Sequence, residues 1–246
     1  MEHWCAKYAQ NLGFSQKPAC EKTTLNEDLI LYSLFFMKSH DLFHGASMRV
    51  WMDGMSIVGL DLAGVETRPT GFCILENMNV KTCVVYEDGE ITEKIQETKP
   101  RIVAIDAPLS LPAGRKSIDQ RTDTHLRECD KELLRRRIKF FPVTLGPMRK
   151  LTSRGIRLRE ILESAHFNVI EVYPGGAQDI LGIPRKQQGL DKLRSGLKKL
   201  QIKGIANTMS ADELDAITCA YVGKLYLEGK TLTYGTDDQT IIMPSS

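Results

Sequence analysis

One stretch constrains the fold of this chain more than any other. Ile57-Val-Gly-Leu-Asp-Leu-Ala63 is a continuous apolar run carrying a single charge. A strand that is apolar on both faces belongs in the middle of a sheet covered by helices on each side. An acid inside it has to lose its charge or find a partner, because unpaired burial costs on the order of several kcal/mol. Ile102-Val-Ala-Ile-Asp-Ala107 repeats the situation, with Asp106 near the end of a second run stopped by Pro108. Were the two strands paired, the acids would be neighbours. At about 4 Å and an effective dielectric near 20 their repulsion is roughly 4 kcal/mol. A hard divalent cation relieves it by taking carboxylate oxygens as ligands. Either Asp alone also reads as a strand-end residue capping the following turn.

The rest of the pattern supports one α/β domain over residues 56–246. Gly71–Leu75 and Thr82–Tyr86 flank Glu76-Asn-Met-Asn79, a strand–turn–strand signature, so the sheet opens antiparallel. A short helix ends before Pro100, and the Asp106 strand follows. A long helical stretch is expected around Leu126, Leu133 and Leu134, and a second helix around Leu158, Ile161, Leu162 and Ala165. Val169–Tyr173 reads as the last strand, closed by Pro174-Gly-Gly176. Leu190, Leu193, Leu197 and Leu200 mark another helix, and a final helix runs from Ser210 to about Glu228. The expectation is one mixed five-stranded sheet with helices on both faces.

Residues 1–55 lack this regularity and read as an N-terminal extension, disordered or the product of an over-long start, with Met48, Met52 and Met55 as alternative starts. The His40/His44 spacing has no third ligand nearby, and chance explains it better than a metal site. The six cysteines show no CxxC spacing and read as reduced core residues. The apolar run from Leu29 to Met37 is too short to span a bilayer and is preceded by Glu27 and Asp28, so a cytoplasmic protein is expected. Net charge is only +2, but residues 115–159 hold 14 Lys and Arg against 5 Asp and Glu, and residues 185–203 hold 7 against 1. Two basic segments in an otherwise acidic chain point to a polyanionic partner, or to solvated helix faces.

The last helix opens with Ser210-Ala-Asp-Glu-Leu-Asp-Ala216. Ser210 and Glu213 form a capping box, which gives Glu213 a structural role. Asp212 and Asp215 share one face, which continues through the apolar Cys219, Val222 and Tyr226. The helix dipole accounts for Asp212 and accounts less well for Asp215, which lies beyond the first turn.

Gly59-Leu-Asp-Leu-Ala-Gly64, Ile105-Asp-Ala-Pro-Leu-Ser110, Arg127-Glu-Cys-Asp130, Glu171-Val-Tyr-Pro174 and Asp212-Glu-Leu-Asp-Ala216 occur in that order. Together they resemble the RNase H-like superfamily, its RuvC-type branch, and within it the predicted nucleases catalogued as domain of unknown function 429. The resemblance covers roughly residues 56–244. It implies that Asp61, Asp106 and Asp215 are metal-binding catalytic acids, with Asp212 an optional fourth. It implies phosphodiester hydrolysis with two Mg²⁺ or Mn²⁺ ions sharing Asp61, and nucleic acid, DNA or RNA, as partner. Glu171 has no standard role in the superfamily; it lines the substrate pocket or pairs with a nearby Arg. Gly64 and Gly175-Gly176 would permit close backbone approach to substrate. Arg127 and Arg135, in the first basic segment, would contact phosphates, unless Arg127 pairs with Asp130 on its own helix turn.

Two other classes compete. A phosphotransferase of the sugar-kinase and actin type shares the strand order, but needs two such domains. A catalytically silent module binding nucleic acid or protein would keep the fold without the reaction; an aromatic content of 7% offers no stacking platform of the single-strand-binding kind.

Overall fold

A computed structural model of the chain describes residues 55–245. The expectations for 1–54, including the extension and the His40/His44 pair, lie outside the described residues. Strands β1 (Ser56–Asp61), β2 (Thr70–Glu76) and β3 (Asn79–Val85) form an antiparallel meander. The turn between β2 and β3 holds only Asn77 and Met78, both at positive φ, as a two-residue turn matching strand twist requires. Helix α1 (Asp88–Thr98) then leads to β4 (Ile102–Asp106). Helices α2 (Glu128–Arg135) and α3 (Gly146–Ser164) precede β5 (Val169–Glu171). Helix α4 (Pro174–Ile180), a 3₁₀ turn (Lys186–Gln188), α5 (Leu190–Lys199) and α6 (Ala211–Leu227) follow. A hairpin of β6 (Thr231–Thr236) and β7 (Gln239–Pro244) ends the described chain.

The five-stranded sheet runs β3-β2-β1-β4-β5, with β4 parallel to β1 and β5 parallel to β4. This is the expected mixed five-stranded sheet, antiparallel in its opening strands and parallel thereafter. Side chains alternate across it as the doubly apolar strands demand. Val58, Leu60, Phe72, Val103 and Ile105 pack on one face against Ile91 and Ile95 of α1 and Leu158 and Leu162 of α3. Ile57, Cys73, Leu75 and Ile102 pack on the other against α5 and α6. Asp61 and Asp106 follow the parity of Ile57 and Ile102, so both leave the sheet on the α6 side.

Three expectations need correction. Residues 107–127 are irregular, and the helix expected there is confined to Glu128–Arg135. Pro174-Gly-Gly does not merely close β5; Pro174 occupies the first turn of α4, where its missing N–H costs nothing. The strand at Val169 is not the last. The terminal hairpin packs Tyr234, Ile241 and Met243 on Cys129 and Leu133, which fixes α2 in place. Among the described residues no helix is long and apolar enough to cross a membrane, and Cys73, Cys83, Cys129 and Cys219 are free thiols.

Candidate metal centre

The centre begins with register. Asp61 of β1 and Asp106 of β4 are direct partners in the parallel ladder, at the ends of adjacent central strands. The third acid arrives on α6, whose first turn lies against the sheet because two glycines leave room. A Cβ on Gly71 would stand 2.1 Å from the Asp212 carbonyl oxygen, and one on Gly59 2.1 Å from that of Ala216. The Ser210–Glu213 capping box closes the helix start, and Glu213 also accepts a hydrogen bond of 2.7 Å from the Thr82 hydroxyl on β3. Helix α6 is thereby tied to the far edge of the sheet, with Asp215 buried beneath it.

Two groups that sequence reasoning did not single out complete the cluster. Lys186, in the 3₁₀ turn, places Nζ 2.8 Å from Asp215 Oδ2 and 3.7 Å from Asp61 Oδ2. Gln178 of α4, itself buried, donates from Nε2 to Asp215 Oδ1 at 2.8 Å and to Thr218 Oγ1 at 3.1 Å. Lys186 belongs to the second basic segment, so part of the charge ascribed to a polyanion surface points inward to the acids. The same holds for the first segment. Arg154 is buried and bonds Asp88 (2.7 Å) and the carbonyls of Ala63 and Tyr86.

Burial, reinforced by repulsion from Asp215 and opposed by Lys186, pushes the Asp61 carboxyl up to about 7. Burial and the neighbouring Asp61 push Asp106 well above the ordinary carboxylate range. Burial works against the charge on Lys186, yet Asp215 and Asp61 more than offset it and hold the ammonium protonated. One lysine therefore serves several carboxylates. Asp61 Oδ2 is buried without any hydrogen-bond partner, an orphaned acceptor of the kind a cation satisfies. The donor set is all carboxylate, which suits Mg²⁺ or Mn²⁺. Among the described residues, no three acids stand in a ready-made ligating arrangement; Lys186 occupies the space between two of them.

The repulsion is testable. Asp106→Asn replaces a buried carboxyl that must hold its proton in the native state and is expected to raise the thermal midpoint in EDTA by several degrees, about 1–2 kcal/mol. Wild-type stability in EDTA should fall as pH rises from about 4 to about 7, because native Asp61 keeps a proton that the unfolded chain has released. The variant should show a shallower fall. A lowered midpoint in Asp106→Asn would mean that its charge is compensated in the native state.

Glu171 and Arg127 lie beside this cluster and are both buried. Arg127 grips Glu171 with two bonds, 2.7 and 2.8 Å, and Asp130 with two more, 3.0 and 3.2 Å. Glu171 also accepts from the Leu109 backbone N–H at 2.7 Å. Burial raises the Glu171 carboxyl despite Arg127. Of the other expected substrate contacts, Arg135 is on the surface paired with Glu132 at 2.7 Å. Gly64 stands close to Leu151 of α3, and Gly176 against Met243 and Tyr173, so both are packing contacts.

Residues 59–240 match the family described as "Protein of unknown function (DUF429)". The chain belongs to this family. The DUF429 match takes in all four acids, Lys186 and Gln178. No curated protein matches the chain. Solved structures similar to it include two of RuvC. The RuvC of T. thermophilus in complex with a Holliday junction substrate shares 13% identity, with 77% of this chain and 99% of that one covered and a TM-score of 0.42. The Thermus thermophilus RuvC structure shares 12%, with 77% and 100% covered and a TM-score of 0.41.

Proposed function

We propose that this DUF429 protein is a metal-dependent nuclease that hydrolyses phosphodiester bonds at Asp61, Asp106 and Asp215, with Asp212 an optional fourth acid. The observation that supports this most is the meeting of three carboxylates, from two adjacent parallel strands and the last long helix, around Lys186, where a buried oxygen of Asp61 has no hydrogen-bond partner. Proteins seldom crowd acids without a use for them, since perturbed carboxylates concentrate at functional sites.

Asp61 and Asp106 would hold one cation and Asp61 and Asp215 a second. When bound, these ions supply the Lewis acidity that phosphodiester hydrolysis needs. The chain's own groups position and neutralise. Gln178 holds one Asp215 oxygen in place, which leaves the other directed at Lys186. Lys186 supplies a positive charge that balances the acids in the metal-free protein and faces a phosphate in the complex. The partner is nucleic acid. Exposed cations such as Arg135 and Arg157 would meet the backbone away from the acids, so affinity should fall steeply with salt.

The deciding experiment is cleavage of labelled single-stranded and duplex DNA, RNA and a four-way DNA junction, with Mn²⁺ or EDTA, by wild type and Asp61→Asn. Cutting that needs Mn²⁺ and drops to background in the variant is expected. In parallel, saturating Mn²⁺ should raise the wild-type melting temperature by about 5–10 °C, the effect of about 2.7 kcal/mol at a hundredfold excess over Kd. The shift should vanish in Asp61→Asn. An unchanged melting curve would overturn the metal site. A shift without cutting of any substrate would overturn the nuclease reading and favour a small nucleotide or a silent binding module.

A further inference from the structure

The ammonium of Lys186 lies between two of the acids and fully satisfies only one of them. Nζ is 2.8 Å from Asp215 Oδ2, a close ion pair, but 3.7 Å from Asp61 Oδ2, beyond hydrogen-bond range. That second oxygen is the buried acceptor left without a partner. A Mg²⁺ ion shared by the two oxygens would stand about 2.0–2.1 Å from Asp215 Oδ2, hence at most about 5 Å from Nζ as it lies. Two cations at that separation, with little water to screen them, repel strongly. The ion reaches both oxygens at once, which Nζ does not.

The surroundings decide which group gives way. Asp61 is fixed in the β1 ladder, paired on both sides. Asp215 is held by Gln178, which is 1% exposed and donates to its other oxygen at 2.8 Å. The backbone that carries Lys186 is held as well. Ile183 and Pro184 pack so closely on α5 that a Cβ on Gly196 would stand 2.8 and 3.1 Å from them. Arg185 Nε donates to Asp179 at 2.8 Å, and its guanidinium lies over the Tyr173 ring. The Lys186 side chain differs from all of these. It is 35% exposed and flexible, so it can turn outward while the turn and the acids stay in place.

We propose that Lys186 is a built-in competitor for the cation shared by Asp61 and Asp215. Its ammonium holds that position when the ion is absent and swings into solvent when the ion enters, so the site binds metal more weakly than its acids alone would. The proposal rests on the metal site of the nuclease reading and adds to it a displacement that sets the metal affinity.

The test uses the full chain and two readouts, neither of them activity. Reductive methylation followed by peptide mass spectrometry reports the accessibility of each lysine amine. In wild type, Lys186 is expected to label at least about threefold faster in saturating Mg²⁺ than in EDTA, as the population shifts to the outward side chain. Lys192, exposed on α5, should label equally in both. In calorimetric titrations, Lys186→Met should bind Mn²⁺ about tenfold tighter than wild type, and Lys192→Met should match wild type. Labelling of Lys186 that ignores Mg²⁺ overturns the displacement, and this arm needs no variant to fold. Mn²⁺ affinity in folded Lys186→Met equal to or below that of wild type overturns the competition. Either result leaves the metal site standing as long as Mn²⁺ still raises the wild-type melting temperature. No thermal shift and no binding heat in wild type overturn both.

Discussion

Arg127→Met is expected to destabilise the protein by about 3–5 kcal/mol, a fall in melting temperature on the order of 10 °C. The guanidinium is 2% exposed and is the sole cation bridging Glu171 and Asp130 among the described residues. Removing it leaves two carboxylates in a region that water scarcely reaches, and the cost is mainly theirs. Arg127→Met combined with Glu171→Gln should therefore recover part of the loss, since the amide can still accept from the Leu109 N–H without carrying charge. Urea unfolding of the wild type and both variants measures this directly. A single variant within about 1 kcal/mol of wild type would show that the triad is not buried as described. The triad also explains why the first basic segment misleads as a count of surface charge. Arg127, the N-cap of α2, is a structural strut between that helix and the end of β5.

Gly59→Ala is the second large effect. The added methyl would meet the Ala216 carbonyl oxygen at 2.1 Å and the Ala220 backbone nitrogen at 2.5 Å. Both are main-chain atoms of a helix, so neither can swing aside, and α6 has to lift from β1. Overpacking of side chains costs about 1–3 kcal/mol, and a clash with backbone on both sides belongs at or above the top of that range. The expected result is a loss of about 3 kcal/mol or more in urea unfolding, with the Mn²⁺-induced thermal shift reduced because Asp215 rides on the displaced helix. Gly89→Ala is the control. It sits in α1 with nothing within 4 Å of the new methyl, and should be neutral or stabilising by up to about 1 kcal/mol. Matching losses in the two variants would mean that α6 does not press on the sheet.

Much of the fold could be read from the chain because its strong signals are local. Doubly apolar strands, a two-residue turn, and a capped final helix each announce themselves within a few residues. The acids were legible for the same reason: Asp61 and Asp106 are anomalies inside their own strands, and Asp215 is an acid one turn too deep for the helix dipole. Lys186 was not legible. Nothing near it marks it off from Arg185 or Lys192, and its partner acids lie 29 and 125 positions away, brought to it only by tertiary packing. Gln178 was hidden likewise, in a helix whose Pro-Gly-Gly start looks like a turn. The β6–β7 hairpin did carry a signal, in Thr231-Leu-Thr-Tyr234 and Ile241-Ile-Met243 around Gly235 and Asp237-Asp238.

The pairing of Asp61 with Asp106 across the parallel ladder limits how this chain can change in length. Losing or gaining one residue within β1 or β4 ahead of its acid would slide one strand against the other and turn one carboxylate to the opposite side of the sheet. The crossover from Glu76 to Ile102, by contrast, can lengthen or shorten at its turns, and so can the irregular stretch after Asp106, without disturbing the match. Insertions that the protein survives should thus fall between the strands, and a domain could be grafted at the Asn77–Met78 turn while the two acids stay side by side.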